Sequence, residues 1–247
     1  MQVAEQTAPV FVAPRLDAEM ISEALHGEPV DVYEETEGWV WGQLCMDGYV
    51  GYVPVHALTR EVASPTHKVM VPRTFLYPVP DIKSVPAGSL TLNAGLQIAG
   101  TQEAFSRTAD GQFVFSAHIG GAATHAEDFV SVAETLLGAP YLWGGKTIGG
   151  LDCSGLVQLA CQVAGIPALR DSYMQRDTLG QPLTVTDFSA LQRGDILFWK
   201  GHVGIMADAR NLLHATAHAM LTIVEPLEPA LRRIAEGGTE ILQINRI

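Results

Sequence analysis

The chain has 247 residues, of which 47% are hydrophobic and 17% are charged. This length and composition are typical of a globular protein with two or three modest domains, each able to bury a core. The formal net charge of −12 argues against a nucleic-acid partner, because there is no basic stripe to neutralise phosphates. The same charge disfavours an anionic membrane surface, and we interpret it as a charge that keeps the protein soluble.

Cysteine usage and the chain start indicate the compartment. Cys45, Cys153 and Cys161 show no paired spacing, so no disulfide framework is predicted. No CxxC or HExxH spacing is present, and we expect neither a metal nor an organic cofactor. No stretch is long enough for a transmembrane helix. Residues 1–9 lack the features of a signal peptide. If Met1 is the native start we expect a cytoplasmic monomer, and if a signal peptide was removed, an exported one.

Residues 1–60 have the pattern of a small all-β domain. Short alternating apolar runs at residues 28–33, 39–44 and 49–53 follow one another closely. Asp47-Gly48, between the last two runs, is a strong hairpin signal. Short strands at such regular spacing predict a small barrel.

Residues 61–122 repeat this plan weakly. Residues 75–78 echo the apolar segment and proline turn of residues 11–14, and Asp110-Gly111 echoes the earlier Asp-Gly turn. We therefore predict a second barrel of the same kind. The alternative is a β-rich insertion with no common origin, since a single repeat is thin support for a repeating architecture.

Residues 123–247 place helices first and strands second, which predicts an α+β domain. A capping-box pattern at residues 124–127 opens a helix that ends at Gly138. Residues 196–199 and 202–206 are predicted to pair as a hairpin across Lys200-Gly201, with a third strand at 212–216.

Cys153 is the strongest nucleophile candidate. It follows a glycine-rich loop and lies in the first turn of a predicted helix, with Asp152 as the N-cap. The partial positive charge of a helix N-terminus lowers a thiol pKa, and its N–H groups can hold an oxyanion. Cys161 and Cys45 are interpreted instead as small core residues.

Two histidines are placed to activate this thiol. In a strand, His202, Gly204 and Met206 share one face, which we expect to turn towards the Cys153 helix, with Gly204 allowing close approach. His214 on the adjacent strand is placed to hydrogen-bond the far nitrogen of His202. Nucleophile, base and orienting residue would then occur in the order Cys, His, His.

Several motifs in the C-terminal half resemble the NlpC/P60 family of cysteine peptidases, and residues 10–54 resemble the bacterial SH3-like (SH3b) domain. The peptidase motifs, in the family's order, are Tyr-Leu-Trp-Gly-Gly at 141–145, Leu-Asp-Cys-Ser-Gly-Leu-Val-Gln at 151–158, Arg-Gly-Asp-Ile-Leu-Phe-Trp at 193–199, Gly-His-Val-Gly-Ile at 201–205 and Leu-His-Ala at 213–215. The resemblance implies a papain-like α+β fold that cleaves peptidoglycan stem peptides. It also implies Cys153 as nucleophile, His202 as base and His214 as orienting residue.

The domain order implied is two SH3b-like barrels, at 1–60 and 61–122, followed by an NlpC/P60 domain at 123–247. This order is similar to that of γ-D-glutamyl-L-diamino acid endopeptidases. In those enzymes the first SH3b domain closes one end of the cleft, so that a stem peptide with a free N-terminal L-Ala is accepted. By this resemblance Asp152 and Tyr49 bind the substrate ammonium and Glu19 assists. The alternative for Tyr49 is a barrel aromatic.

The same resemblance assigns the D-Glu α-carboxylate to Arg170, Ser172 and Ser154. The alternative for Arg170 is a surface ion pair with Asp171. The implied activity is hydrolysis of the γ-D-glutamyl–diamino acid bond in peptidoglycan-derived peptides, as in murein peptide recycling. Two alternatives are an amidase or acyltransferase of the same fold and a non-catalytic wall-binding module. The intact Cys–His–His set argues against the second.

Overall fold

A computed structural model describes residues 1–184 and 187–247 of the chain. Two compact units divide it: an N-terminal unit, Met1–His125, and a C-terminal unit, Ala126–Ile247. The molecule is mostly β-sheet with few helices, and no helix among the described residues is long and apolar enough to cross a membrane.

The first half of the N-terminal unit is a five-stranded antiparallel sheet with the order β3-β2-β6-β5-β4, accompanied by the short pair β1–β7. Its strands are β1 (Gln2–Val3), β2 (Thr7–Phe11), β3 (Met20–Leu25), β4 (Val30–Thr36), β5 (Trp39–Leu44), β6 (Val50–Pro54) and β7 (Leu58–Thr59), with a 3₁₀ helix at Val55–Ala57. The predicted Asp47-Gly48 turn between β5 and β6 is confirmed, and Gly48 has a positive φ of 74°.

Alternation explains β2, β5 and β6 of this sheet, but not β3, and in β4 only Val30 is buried. Val10, Val40 and Val53 are fully buried, as the period of two requires. The sequence did not predict β3, because buried Ser22 and Glu23 interrupt its apolar pattern. A strand with buried polar side chains cannot be identified from hydrophobic periodicity alone.

The second half of the N-terminal unit follows the same path. Its five-stranded sheet has the order β10-β9-β14-β13-β12, and β11-β8-β15 form a second sheet. The strands are β8 (His67–Val69), β9 (Arg73–Tyr77), β10 (Gly88–Thr91), β11 (Gly95–Leu96), β12 (Ile98–Gln102), β13 (Phe105–Thr108), β14 (Phe113–Phe115) and β15 (Ile119–Gly121). A 3₁₀ helix at Ser116–His118 follows β14, as one follows β6. The predicted Asp110-Gly111 turn joins β13 to β14.

The C-terminal unit has a six-stranded antiparallel sheet with the order β18-β23-β19-β20-β21-β22. Its elements are α1 (Phe129–Glu134), β16 (Lys146–Thr147), β17 (Gly150–Leu151), α2 (Cys153–Val163), α3 (Ser172–Thr178), β18 (Gln181–Pro182), β19 (Ile196–Trp199), β20 (His202–Met206), β21 (Asn211–Thr216), β22 (Leu221–Pro226), α4 (Leu227–Glu236) and β23 (Ile241–Arg246), with a 3₁₀ helix at Phe188–Ala190. The β19–β20 hairpin across Lys200-Gly201 is confirmed. The predicted order of helices first and strands second holds only in part, because α4 lies between β22 and β23.

One predicted helix start needs correction, and the sequence did not predict α4. The first helix does not start from the capping box at residues 124–127. Its N-cap is Asp128, whose Oδ1 accepts from the Val130 backbone N–H at 2.9 Å. Asp is an equally good cap, so the sequence held two competing start signals. Helix α4 was not predicted, although Leu227, Ala230 and Ile234 have helical spacing and pack with the core beside the sheet.

Candidate active site

The start of α2 shows how the sequence positions Cys153. Asp152 is the N-cap, as predicted, and its Oδ1 accepts from the Gly155 backbone N–H at 2.7 Å. A Cβ on Gly155 would lie 2.2 Å from the carbonyl oxygen of Gly145. Glycine at 155 is therefore what lets the glycine loop lie directly on the first turn of the helix. Cys153 itself is buried, with 5% of its surface exposed.

The Asp152 carboxylate is the most heavily bonded group of the site. Arg170 donates to both of its oxygens, Nη2 to Oδ2 at 2.5 Å and Nη1 to Oδ1 at 3.0 Å. The Gly144 backbone N–H donates to Oδ2 at 2.9 Å. Ser154 Oγ donates to Oδ1 at 3.1 Å and accepts from Arg170 Nη1 at 2.8 Å. Three of the predicted substrate-binding residues thus form one hydrogen-bonded cluster beside the thiol.

This ion pair is buried, since Arg170 is 1% exposed and Asp152 5%. The alternative of a surface ion pair between Arg170 and Asp171 is therefore wrong. A buried pair of this kind is costly to desolvate, and it is retained only when the geometry is good and the remaining atoms are hydrogen-bonded. Both conditions are met here.

The other predicted substrate-binding residues, Ser172, Tyr49 and Glu19, belong to other parts of the chain. Ser172 is the half-buried first residue of α3, with Asp171 as N-cap. Tyr49 and Glu19 belong to the N-terminal unit. Tyr49 is half-buried, packs against the core of the first sheet and follows the Asp47-Gly48 turn. Glu19 is exposed just before β3. Their contact with a substrate ammonium stays a prediction.

The two predicted histidines meet as expected. His202 begins β20, and its Nε2 lies 2.8 Å from His214 Nδ1 on the adjacent strand β21. His214 is fully buried, and the ring of Trp199 lies 5.6 Å from that of His202, centroid to centroid. The hydrogen bond between the histidines is thus confirmed, and packing holds the His202 ring against Trp199.

The prediction that Gly204 and Met206 turn towards α2 is wrong. Met206, on the same face as His202, packs with Leu227 and Ala230 of α4 rather than with α2. A Cβ on Gly204 would meet Leu212 Cδ1 at 2.8 Å, so this glycine makes room for the neighbouring strand and not for the helix. The link between α2 and β20 is a backbone one, since the Val203 N–H donates to the Cys153 sulfur.

Burial and nearby charges decide the protonation states of Cys153 and His202. Burial, and next the Asp152 charge, raise the pKa of Cys153 to about 12, against the lowering effects of the Val203 and Ser154 N–H groups and of Arg170. Burial, with the neighbouring His214, lowers the pKa of His202 to about 3. The expected lowering of the thiol pKa by the helix N-terminus is therefore outweighed. The free protein holds a neutral thiol and a neutral imidazole.

Sequence reasoning missed three residues near this site. Tyr141 lies close enough that the Cys153 and Asp152 charges, after burial, raise its pKa to about 12, so its hydroxyl keeps its proton. Glu225 Oε1 lies 2.8 Å from His214 Nε2, and Arg233 is hydrogen-bonded to the same carboxylate. The tyrosine stood in a recognised motif, whereas Glu225 and Arg233 require the strand register and helix α4 to be known.

The remaining cysteines differ from each other. Cys161 is buried inside α2, as predicted, but Cys45 is exposed, so its interpretation as a core residue is wrong. It lies just after β5, in the turn that follows the last buried residue of that strand. As for metal sites, no group of three or more His, Cys, Asp or Glu side chains among residues 1–184 and 187–247 is arranged to hold a metal ion.

Two family models match the chain. Residues 10–58 match the bacterial dipeptidyl-peptidase Sh3 domain, and residues 138–232 match the NlpC/P60 family. The chain therefore carries an NlpC/P60 domain, preceded by a bacterial SH3 domain. The family resemblance found in the sequence is confirmed.

Similar proteins extend over most of the chain. Dipeptidyl-peptidase 6 of Lysinibacillus sphaericus is 27% identical over 233 residues, which cover 85% of this chain and 84% of that protein. The gamma-D-glutamyl-L-lysine dipeptidyl-peptidase of Bacillus cereus is 29% identical over 226 residues, covering 78% of this chain and 66% of that protein. A crystal structure of an NlpC/P60 family protein from Bacillus cereus covers 99% of this chain and 98% of its own, with a TM-score of 0.81. At 22% identity, that likeness shows the fold alone.

The electrostatics predict a protonated thiol in the free protein. The ultraviolet absorbance of thiolate, taken as the difference between the wild-type protein and Cys153→Ala, is expected to show no titration step from weakly acidic to weakly alkaline pH. Burial and Asp152 both oppose the charged form there. A step below neutral pH, as a stable thiolate–imidazolium pair gives, would contradict this.

Proposed function

We propose that this chain is a cysteine endopeptidase that hydrolyses the bond between γ-D-glutamate and a diamino acid in peptidoglycan-derived peptides. The observation that carries the proposal is the juxtaposition at α2. A thiol at a helix start lies beside a buried carboxylate–guanidinium pair and is linked through the Val203 N–H to β20, whose His202 is hydrogen-bonded to His214 on β21. The name of the Bacillus cereus relative, a gamma-D-glutamyl-L-lysine dipeptidyl-peptidase, supports the same class of substrate.

The reaction starts with proton transfer. His202 takes the thiol proton as the Cys153 sulfur attacks the carbonyl carbon of the γ-D-glutamyl group. The carbonyl oxygen becomes an oxyanion near the Cys153 backbone N–H at the start of α2. We assign the protonated Tyr141 hydroxyl as a second donor to the oxyanion, because Tyr141 is near enough for the Cys153 charge to raise its pKa.

Collapse of this intermediate breaks the amide bond. His202 gives its proton to the leaving amine of the diamino acid, and a thioester joins Cys153 to the peptide. Water then attacks the thioester carbonyl as His202 accepts a water proton. The C–S bond breaks, the acid is released, and His202 returns the proton to the Cys153 sulfur. The two histidines remain one hydrogen-bonded unit throughout. No other group enters the balance.

The substrate carries one ammonium and one α-carboxylate on the same side of the scissile bond. Asp152 is the group we assign to the ammonium, and Ser172 is the donor to the carboxylate, because the Ser154 hydroxyl already donates to Asp152. Because Arg170 is 1% exposed and donates to Asp152 and Ser154, we assign it to orienting those two side chains. A free L-Ala amine exists only on peptides released from the glycan, which supports a role in recycling.

We further propose that residues 61–122 form a second SH3b-like barrel. The order β10-β9-β14-β13-β12 has the same path as β3-β2-β6-β5-β4 in the first half. Each central strand, β6 and β14, leads into a 3₁₀ helix and then a short strand that pairs away from the main sheet. A shared path of this detail favours a repeated fold over an unrelated β-rich insertion.

The decisive assay uses synthetic L-Ala-γ-D-Glu-diaminopimelate. Wild-type protein is expected to release free diaminopimelate and L-Ala-γ-D-Glu, detected by chromatography, and Cys153→Ala is expected to release neither. Cys161→Ala, in the same helix but within the core, is the control and keeps its activity. Absence of hydrolysis by the folded wild-type protein, or equal hydrolysis by Cys153→Ala, rejects the proposal. Transfer of the acyl group to an added amine without hydrolysis would favour the acyltransferase.

Blocking the L-Ala amine is expected to lower turnover as well as affinity. A bound ammonium neutralises Asp152, which otherwise raises the pKa of the Cys153 thiol. The measurement compares kcat and KM for the free and the N-acetylated tripeptide. The N-methyl peptide adds bulk but keeps the charge, so it is expected to retain most of the kcat. Equal kcat for the acetylated and free peptides would refute the coupling.

A further inference from the structure

The hydrogen-bonded histidines extend into a longer line of contacts. His214 Nε2 lies 2.8 Å from Glu225 Oε1 on strand β22. Arg233 Nη1 donates to Glu225 Oε2 at 2.8 Å, and its Nη2 donates to Oε1. The line therefore runs from His202 through His214 and Glu225 to Arg233, across three neighbouring strands and helix α4.

The fold produces this line by register. His214 pairs with Ile223 and Leu212 with Glu225, so Glu225 lies diagonally opposite His214 on the same face of the sheet. Arg233 comes from α4, which begins directly after β22 and packs by Leu227 and Ala230 on that face. Neither residue touches the thiol, so both act through the histidines.

The ionised carboxylate of Glu225 decides which nitrogens of His214 and His202 carry protons. Arg233 holds the pKa of the Glu225 carboxyl below its usual range, so Glu225 is ionised and only accepts hydrogen bonds. His214 Nε2 must then carry a proton, which leaves Nδ1 of the neutral ring as an acceptor. His202 Nε2 must donate to that Nδ1. The lone pair of His202 is therefore on Nδ1, the nitrogen left to accept the thiol proton.

We propose that Glu225, held by Arg233, is a positioning residue that fixes the tautomers of His214 and His202 for proton transfer from Cys153. This inference rests on the proposed thiol chemistry. When His202 becomes an imidazolium, the same carboxylate stabilises its charge through His214. In many enzymes an acidic residue orients the histidine base directly. Here Glu225 orients His214, and His214 in turn orients the base His202.

Several charged groups face the two histidines. Glu225 favours the protonated form of His214 and His202, and Arg233 opposes it. His218, after β21, also opposes protonation of His214. The Cys153 thiol and the paired Asp152 lie at the start of α2. Removing Glu225 and removing Arg233 should therefore shift the histidine pKa in opposite directions.

The kinetic test uses Glu225→Gln and Arg233→Met. The acidic limb of the pH profile of kcat/KM reports the base of the free enzyme. We expect Glu225→Gln to move it about one pH unit lower and Arg233→Met to move it higher. Glu225→Gln should also lower kcat about tenfold or more with little change in KM. Glu134→Gln removes a carboxylate from an exposed ion pair with Arg193 and is the matched control with a wild-type profile.

A second readout does not depend on activity. Nitrogen NMR of histidine-labelled wild-type protein is expected to show His214 protonated on Nε2 only and His202 on Nε2 only. Glu225→Gln is expected to mix the His214 tautomers, because the glutamine amide can donate as well as accept. The opposite tautomers in the wild type, or pH profiles that move together in both variants, overturn the inference. If the wild type shows these tautomers but cleaves no peptide, the proposed function fails, and the positioning role of Glu225 in it fails too. If the wild type cleaves the peptide but shows the opposite tautomers, only the inference about Glu225 fails.

Discussion

The buried carboxylate of Asp152 is the constraint on which the site depends. An ionised carboxylate inside a protein is tolerated only when its oxygens are paired and hydrogen-bonded. Here the partners come from three places: the Gly155 N–H of α2, the Gly144 N–H of the glycine loop, and Arg170. Satisfying one side chain therefore fixes the helix start, the loop before it and the segment after it. Cys153 is held in position because its neighbour in sequence is held.

The same constraint shapes the chemistry. Asp152 opposes thiolate formation, and burial opposes an imidazolium at His202, so the free protein keeps both groups neutral. Each acidic group of the site is paired with an arginine, Asp152 with Arg170 and Glu225 with Arg233. Charge separation then arises only when a substrate supplies an ammonium beside Asp152 and a carbonyl in front of the sulfur. Such an arrangement links substrate recognition to nucleophile activation.

The sequence was most informative where a few neighbouring residues decide the structure. The Asp47-Gly48 turn, the Asp152 cap and the hairpin across Lys200-Gly201 are local, and all were predicted. The pairing of Asp152 with Arg170 spans 18 residues, and it depends on how α2 and the following loop fold back. Glu225 could be placed beside His214 only through the register of β21 and β22. The exposed Cys45 shows that residue type alone does not decide burial at the end of a strand.

The most direct test of this account is a double-mutant cycle on the buried pair, with unfolding free energy measured by chemical denaturation. Arg170→Met leaves a buried carboxylate unpaired and is expected to cost about 3–5 kcal/mol. Asp152→Asn keeps a cap, and the double variant should cost clearly less than the sum of the single changes. Arg176→Met, in an exposed pair, is the control. The account is contradicted if Arg170→Met destabilises the protein no more than Arg176→Met and retains full peptide hydrolysis.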